Sequence, residues 1–341
     1  MTTIVMAPVP GPESPPESAR KVRSAAAGAD RVFQITLRGA GLAVLIIMAT
    51  IGLFLFYRGA QALGDAGLWK FITTQNWEPS SHNFGIATVI IGTMLVALVA
   101  VFFAVPLATG VALYISEYAP RKLRQALINL VDLMAAVPSI VFGLWGAYFL
   151  QEKVIPLAKW ISTTFGWIPL LGVSGATPDD PLEDKTIYES GTFIAGIVVA
   201  LMIMPIICSV MRESFAQAPV GEREGAFALG STRWGMIRSV VLPFGRGGMI
   251  GGTMLGLGRA MGETIAVYKV ISPIFEIQPQ ILHRGTNTVS ALIALKFGAA
   301  SPFDFSALFA AGLALFLLTL VVNFGASAII ARTRSGALSD A

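Results

Sequence analysis

The sequence predicts an all-α integral membrane protein of six spanning helices with both termini cytoplasmic, and three observations carry that prediction. The first is composition: 55% of the 341 residues are hydrophobic and 13% are charged, where a soluble globular domain carries roughly 25% charged residues. The second is a set of six apolar stretches near 37–57, 86–115, 126–150, 193–211, 247–274 and 306–330, against the ~20 residues that a spanning helix needs. The third is where the basic residues fall. Fifteen Lys and Arg lie in the N-terminal segment, the second and fourth loops and the C-terminal end, and seven lie in the first, third and fifth loops. Positive charge resists translocation, so the richer side is cytoplasmic. The formal charge of +4 reflects this sorting and calls for no nucleic-acid partner. One cysteine, Cys208, excludes an intramolecular disulfide framework or a Cys-rich metal site and reads as a small buried hydrophobe.

Taken in order, residues 1–36 are rich in Pro, Ser and Ala and bury too little to order themselves, so a disordered cytoplasmic tail is expected. The basic residues Arg20, Lys21 and Arg23 precede an apolar run too long for a signal-peptide core. Residues 37–332 form the membrane domain and 333–341 a cytoplasmic tail. The second and fifth stretches exceed the required length, which implies tilt, a kink or projection past the lipid. In the third, Val137-Pro138-Ser139 interrupts the helix and Pro138 is expected to bend it. Ser139 then either turns its hydroxyl to a pathway or bonds back to its own helix, and Asp132 reads as an interfacial or packing acid. The outer loop 151–192 carries Glu152, Asp179, Asp180, Glu183, Asp184 and Glu189, which fits the outer side. Its Trp160, Phe165, Trp167 and Ile168 form either an interfacial helix or a surface for an outer partner. His82 and His283 are isolated, without metal-ligand spacing.

The cytoplasmic loop 212–246 is patterned as helix, sharp turn, helix. Pro219 suits a first turn, Glu222 and Glu224 favour a helix N-terminus, and Gly230 ends that helix in the left-handed conformation. Ser231 or Thr232 caps the next helix, which Leu242-Pro243 is expected to end before the fifth span. Glu224-Gly225-Ala226, three residues, Gly230, nine residues and Val240-Val241-Leu242-Pro243 resembles the EAA motif of ABC importer permeases, with Gly225 for an alanine and Val240 for isoleucine. The resemblance implies a type I ABC importer permease fold, in which Glu224, Gly225, Ala226 and Gly230 sit where a coupling helix meets a cytoplasmic ATPase. No G-x-x-x-x-G-K-[ST] phosphate loop occurs in the sequence, so this chain is expected to be no enzyme: a partner hydrolyses the nucleotide.

Further stretches, at 105–124, 133–146 and 231–267 and in the closing span, resemble the PstC-type permeases of the phosphate-specific importer. A related sister family shares an R-A-x-G-E-T segment. The PstC likeness implies a PstA-like sister permease, a PstB-like ATPase dimer holding ATP and Mg, and a PstS-like phosphate-binding protein outside. It also implies a bacterial cytoplasmic membrane and no cofactor on this chain.

Within the fifth span, "GLGRAMGETIAV" puts Arg259 and Glu263 four residues apart, which on one helix places them on a shared face near mid-membrane. A charge there costs at least a few kcal/mol. The pair therefore either fixes helix register or lines an anion route, with Arg259 as waypoint and Glu263 holding it. Gly252 and Gly256, with Gly258 and Gly262, recur at fours and read as a packing ridge. Lys269 reads as a snorkelling residue at the outer end. Rivals are a permease for sulfate or molybdate and, from another class, a membrane scaffold or sensor that recruits a cytoplasmic partner. A secondary transporter would show repeated broken helices, and none is evident in the sequence.

Overall fold

The computed structural model describes residues 28–173, 175 and 186–334. The tail up to residue 27, the acids Asp179, Asp180, Glu183 and Asp184, and the end from 335 lie outside the described residues. Among the described residues five helices are long and apolar enough to cross a membrane, and one pair bent by 87° makes up to six.

The first helix, α1 (Gly28–Ala66), starts well before residue 37. Residues 31–36 of the expected tail continue the helical run, whose residues 30–51 are exposed. The chain divides into two units between Ile51 and Gly52. From Gly52 onward α1 packs on the last helix, and a Cβ on Gly59 would lie 2.9 Å from the Ala310 backbone.

A short helix α2 (Leu68–Thr73) and a hairpin of β1 (Trp77–Glu78) with β2 (Asn83–Phe84), in register Trp77↔Phe84, follow. Phe84 is the hub of this cap and meets Phe71, Trp77 and Phe303 edge-on. His82 is not isolated, because its Nδ1 meets the Asp65 carboxylate.

The long helix α3 (Ala87–Leu113) continues through a π-turn at Tyr114–Tyr118. Ala100, Ala104, Ala108 and Ala112 recur every four residues, and all are fully buried. That ridge lets α3 lie close to another helix, as small residues do in membranes.

The third span breaks where Pro138 was expected to bend it. Helix α4 (Arg121–Ala136) stops, Val137 and Pro138 are extended, and α5 (Ser139–Trp145) begins. The chain then runs through a π-turn into α6 (Gln151–Phe165), so the first fifteen residues of the expected outer loop, 151–165, are helical. Helix α6 is amphipathic: Val154 and Ala158 are buried while Trp160 is exposed.

The central partner of α3 is α7 (Thr192–Ala216), where Gly196 meets Val99 at 2.3 Å from an ideal Cβ. Then come α8 (Val220–Ala228), α9 (Arg233–Met236) and α10 (Leu242–Gly262). Leu242-Pro243 does not end a helix. A π-turn at Ile237–Val241 joins α9 to α10, so one helical run reaches from Arg233 to Gly262. Pro243 sits at the start of α10, where its missing N–H is tolerated because the wide turn has already interrupted the ladder. The chain ends with α11 (Ile265–Val270), α12 (Val289–Lys296) and α13 (Pro302–Arg334).

Candidate translocation and coupling site

The loop 212–246, expected on the cytoplasmic side, is built by turn chemistry. Pro219 is the N-cap of α8 rather than a residue of its first turn, and Gly230, at φ +81°, reverses the chain. The Ser231 N–H donates to the Ala226 carbonyl at 3.0 Å and the Gly230 N–H to Phe227 at 2.9 Å, the paired bonds of a helix closed by a left-handed glycine. Thr232 then caps α9, its hydroxyl accepting from the Gly235 N–H at 3.1 Å. Helix α8 buries no residue completely. Glu224 and Gly225 are exposed, Ala226 is half-buried, and Leu229 at the tip is 89% exposed beside Phe227 and Trp234. An acid and a cluster of bare apolar side chains thus project from the bundle on a rigid turn.

The charged stretch is not one helix. Helix α10 stops at Gly262, Glu263 is extended (φ −67°, ψ 128°), and α11 starts at Ile265. Arg259 and Glu263 therefore do not share a helical face, and no ion pair joins them among the described residues. Each serves a different helix end. Arg259 lies in the last turn of α10, where a cation complements the helix dipole, and Glu263 Oε1 accepts the Ala266 N–H at 3.2 Å in the first turn of α11. Since the continuous run starts at Arg233, Arg259 lies near its far end, ~39 Å along at 1.5 Å per residue.

Among the described residues two helices are thus broken, one at Val137–Pro138, where an interruption was expected, and one at Glu263–Thr264, where the fifth span was read as continuous, so broken helices recur where the sequence showed no repeat of them. Their C-terminal halves meet, since a Cβ on Gly143 in α5 would lie 2.8 Å from the Ala266 Cα in α11. Ser139 opens α5, so it has no preceding turn of its own helix to bond back to. No hydrogen bond links Ser139, Arg259 and Glu263 to one another among the described residues.

The glycines of α10 divide between two faces. Gly245, Gly248, Gly252 and Gly256 face α7: added Cβ atoms would meet Phe215 at 2.4 Å, Ser214 at 2.2 Å, the Ile207 carbonyl at 3.2 Å and the Ile207 side chain at 2.5 Å. Gly247, Gly251 and Gly262 meet nothing within 4 Å, and Gly258 has only the Asn323 amide, at 3.6 Å. Along this open face lie two cavities in file. One, of about 600 Å³, is lined by Ser209, Arg212, Glu213, Gly247 and Gly251. The next, of about 530 Å³, is lined by Ile206, Met254, Gly258, Arg259 and Asn323. Arg259 is exposed to it and has no hydrogen bond or ion pair among the described residues. Lys269, exposed in α11, lies over the Tyr268 ring at 5.5 Å.

Sequence reasoning missed one pair altogether. Arg223 of α8 is bonded to Glu117 at the end of the second span, across 106 residues. Neither belongs to the EAA-like pattern, and the only local signal was a basic residue beside Glu224.

Residues 104–335 match the family described as binding-protein-dependent transport system inner membrane component. The phosphate transport system permease protein PstC of Xylella fastidiosa (strain 9a5c) is 39% identical over 297 residues, covering 87% of this chain and 89% of that protein. The phosphate transport system permease protein PstC 2 of Mycobacterium tuberculosis (strain ATCC 25618 / H37Rv) is 37% identical over 305 residues, covering 88% and 91%. Among solved structures, a bacterial ABC transporter involved in alginate import superposes with a TM-score of 0.50 at 18% identity, covering 89% of this chain and 99% of that one. The inward-facing MetNI methionine ABC transporter gives 0.50 at 14% identity, covering 73% and 95%. These two show the likeness of fold alone.

Proposed function

Because this chain belongs to the PstC-type permeases, within the inner membrane components of binding-protein-dependent transport systems, we propose that it forms half of the translocation pathway of an ATP-driven phosphate importer. The reading places it in a bacterial cytoplasmic membrane with six spans and both termini inside. Its partners are a PstA-like sister permease, a PstB-like ATPase dimer carrying ATP and Mg, and a PstS-like phosphate-binding protein outside. The chain holds no cofactor of its own.

The observation that carries the reading is Arg259, an exposed arginine with no partner among the described residues, on the wall of a cavity lined by α7, α10 and α13. A guanidinium stays protonated, and its planar fork matches two oxygens of an oxyanion. A scaffold would have no use for an unpartnered guanidinium turned to such a cavity. The open glycine face of α10 extends the route, because bare backbone leaves width for a hydrated ion and for the sister subunit. Glu263, held by the Ala266 N–H, keeps clear of Arg259 and leaves the guanidinium to the anion. At the cytoplasmic end, Glu224, Gly225, Ala226 and Gly230 present the projecting helix to the ATPase. ATP binding draws the two coupling helices together and opens the pathway outward, and hydrolysis resets it.

The test is ATP-driven uptake into liposomes holding the whole complex, with phosphate and sulfate compared. Phosphate is expected to be taken up in preference, and Arg259→Ala to lower uptake roughly ten- to a hundredfold, the equivalent of one hydrogen bond to a charged group. Wild-type uptake by Arg259→Ala would sink the waypoint. Preference for sulfate would move the chain to the other oxyanion.

A further inference from the structure

The cytoplasmic loop is joined to the second span at a point that neither the EAA-like pattern nor the Arg259 cavity uses. Glu117 lies in the π-turn closing that span and is 5% exposed, while Arg223 of α8 is 20% exposed. Nη1 of Arg223 stands 3.1 Å from Oε1 and 3.2 Å from Oε2 of Glu117, and Nη2 donates to the Phe215 carbonyl at 2.6 Å. The Ser116 hydroxyl donates to Glu117 Oε1 at 2.6 Å. One guanidinium therefore ties the second span, the end of α7 and α8 together. A second basic residue grips the neighbouring position, since Arg233 at the start of α9 lies over the Tyr118 ring at 5.2 Å.

This attachment is unlike the rest of the bundle. Helix α8 buries no residue completely, so packing contributes little to holding it. A joint that had only to be rigid would be served as well by apolar side chains, because two ions taken out of water are costly to bury. A charged fork differs from packing in tolerating a change of angle. Arg223 Nε is buried with no partner among the described residues, which leaves the guanidinium a further edge to offer the same carboxylate when α8 tilts. Beyond the joint the path is continuous: α3 packs along α7, and α10, which bears Arg259, packs against both.

We propose that Glu117 and Arg223 are positioning residues for energy coupling, the strut through which movement of α8 is delivered to the second span. The proposal rests on the reading of this chain as an ATP-driven permease. Wild type, Glu117→Gln, Arg223→Gln and the double variant are reconstituted in the full complex, and ATP hydrolysed per phosphate taken up is measured. Each single change is expected to raise that ratio about tenfold, within the range of ordinary coupling energies. The double variant is expected to be no worse than either single one, because both remove the same link. A ratio unchanged from wild type, with uptake and hydrolysis falling in proportion, is what a merely structural pair would give and overturns the proposal.

If wild type takes up no phosphate, the substrate reading fails and the strut is judged without substrate. Leu107 is an exposed residue of α3. With Cys208 replaced by Ala, the rate at which a maleimide reaches Leu107→Cys is followed with and without ATP. ATP is expected to change that rate several-fold while Glu117 and Arg223 are both present, and not after Glu117→Gln. Equal responses in both proteins, or none in either, overturn the strut.

Discussion

Arg259 owes its proposed role to being alone, and Glu263 to being occupied on one side only. Oε1 of Glu263 takes the Ala266 N–H, and among the described residues Oε2 has no hydrogen bond, so under the proposed function it is the atom left to accept the hydroxyl of hydrogen phosphate, which sulfate lacks at neutral pH. Glu263→Gln is therefore expected to reduce the preference for phosphate over sulfate roughly tenfold, the equivalent of one charge-assisted hydrogen bond. Unchanged selectivity in competitive uptake would remove Glu263 from recognition. At the same scale, Gly92 leaves no room for a side chain, because its Cβ would sit 2.0 Å from the Asn287 carbonyl oxygen. Gly92→Ala is expected to lower stability by about 1–3 kcal/mol, read as a fall in Tm of the detergent-solubilised protein.

The element that matters most to coupling is α8 with its turn, and its logic was visible in the residues. Gly230 and Thr232 fall where a left-handed reversal and an N-cap were expected, because both depend on local backbone chemistry. Gly230→Val adds a β-branched side chain at φ +81° and is expected to cost about 1–2 kcal/mol. Leu229→Glu leaves the fold intact and is expected to weaken co-purification of the ATPase at least tenfold. Wild-type recovery would remove the loop tip from the contact. Other elements escaped the sequence for physical reasons. The break at Glu263 follows an apolar, glycine-rich run that reads as continuous helix, and the half after it packs against α5 at Gly143, a tertiary contact no local pattern shows. Pro243 reads as a stop, yet the π-turn before it absorbs the missing bond. The strut joins positions 106 residues apart, which no local period reveals.

Across the whole molecule, composition and the apolar stretches carried the class and the approximate spans, because both follow from the cost of placing charge and bare backbone in lipid. Basic-residue sorting in turn predicts sidedness. In sealed inside-out vesicles, an impermeant maleimide is expected to label Leu229→Cys and to spare Trp167→Cys, and the reverse pattern would invert the topology. What hydropathy does not show is that α10 carries glycines on two faces, one seated against α7 and one bare toward the cavities. Between the packed half of the bundle and the proposed route stands a single undressed helix. With few side chains on either face to take up slack, a displacement of α7 is expected to reach the passage nearly undiminished, which would make the wall itself the gate.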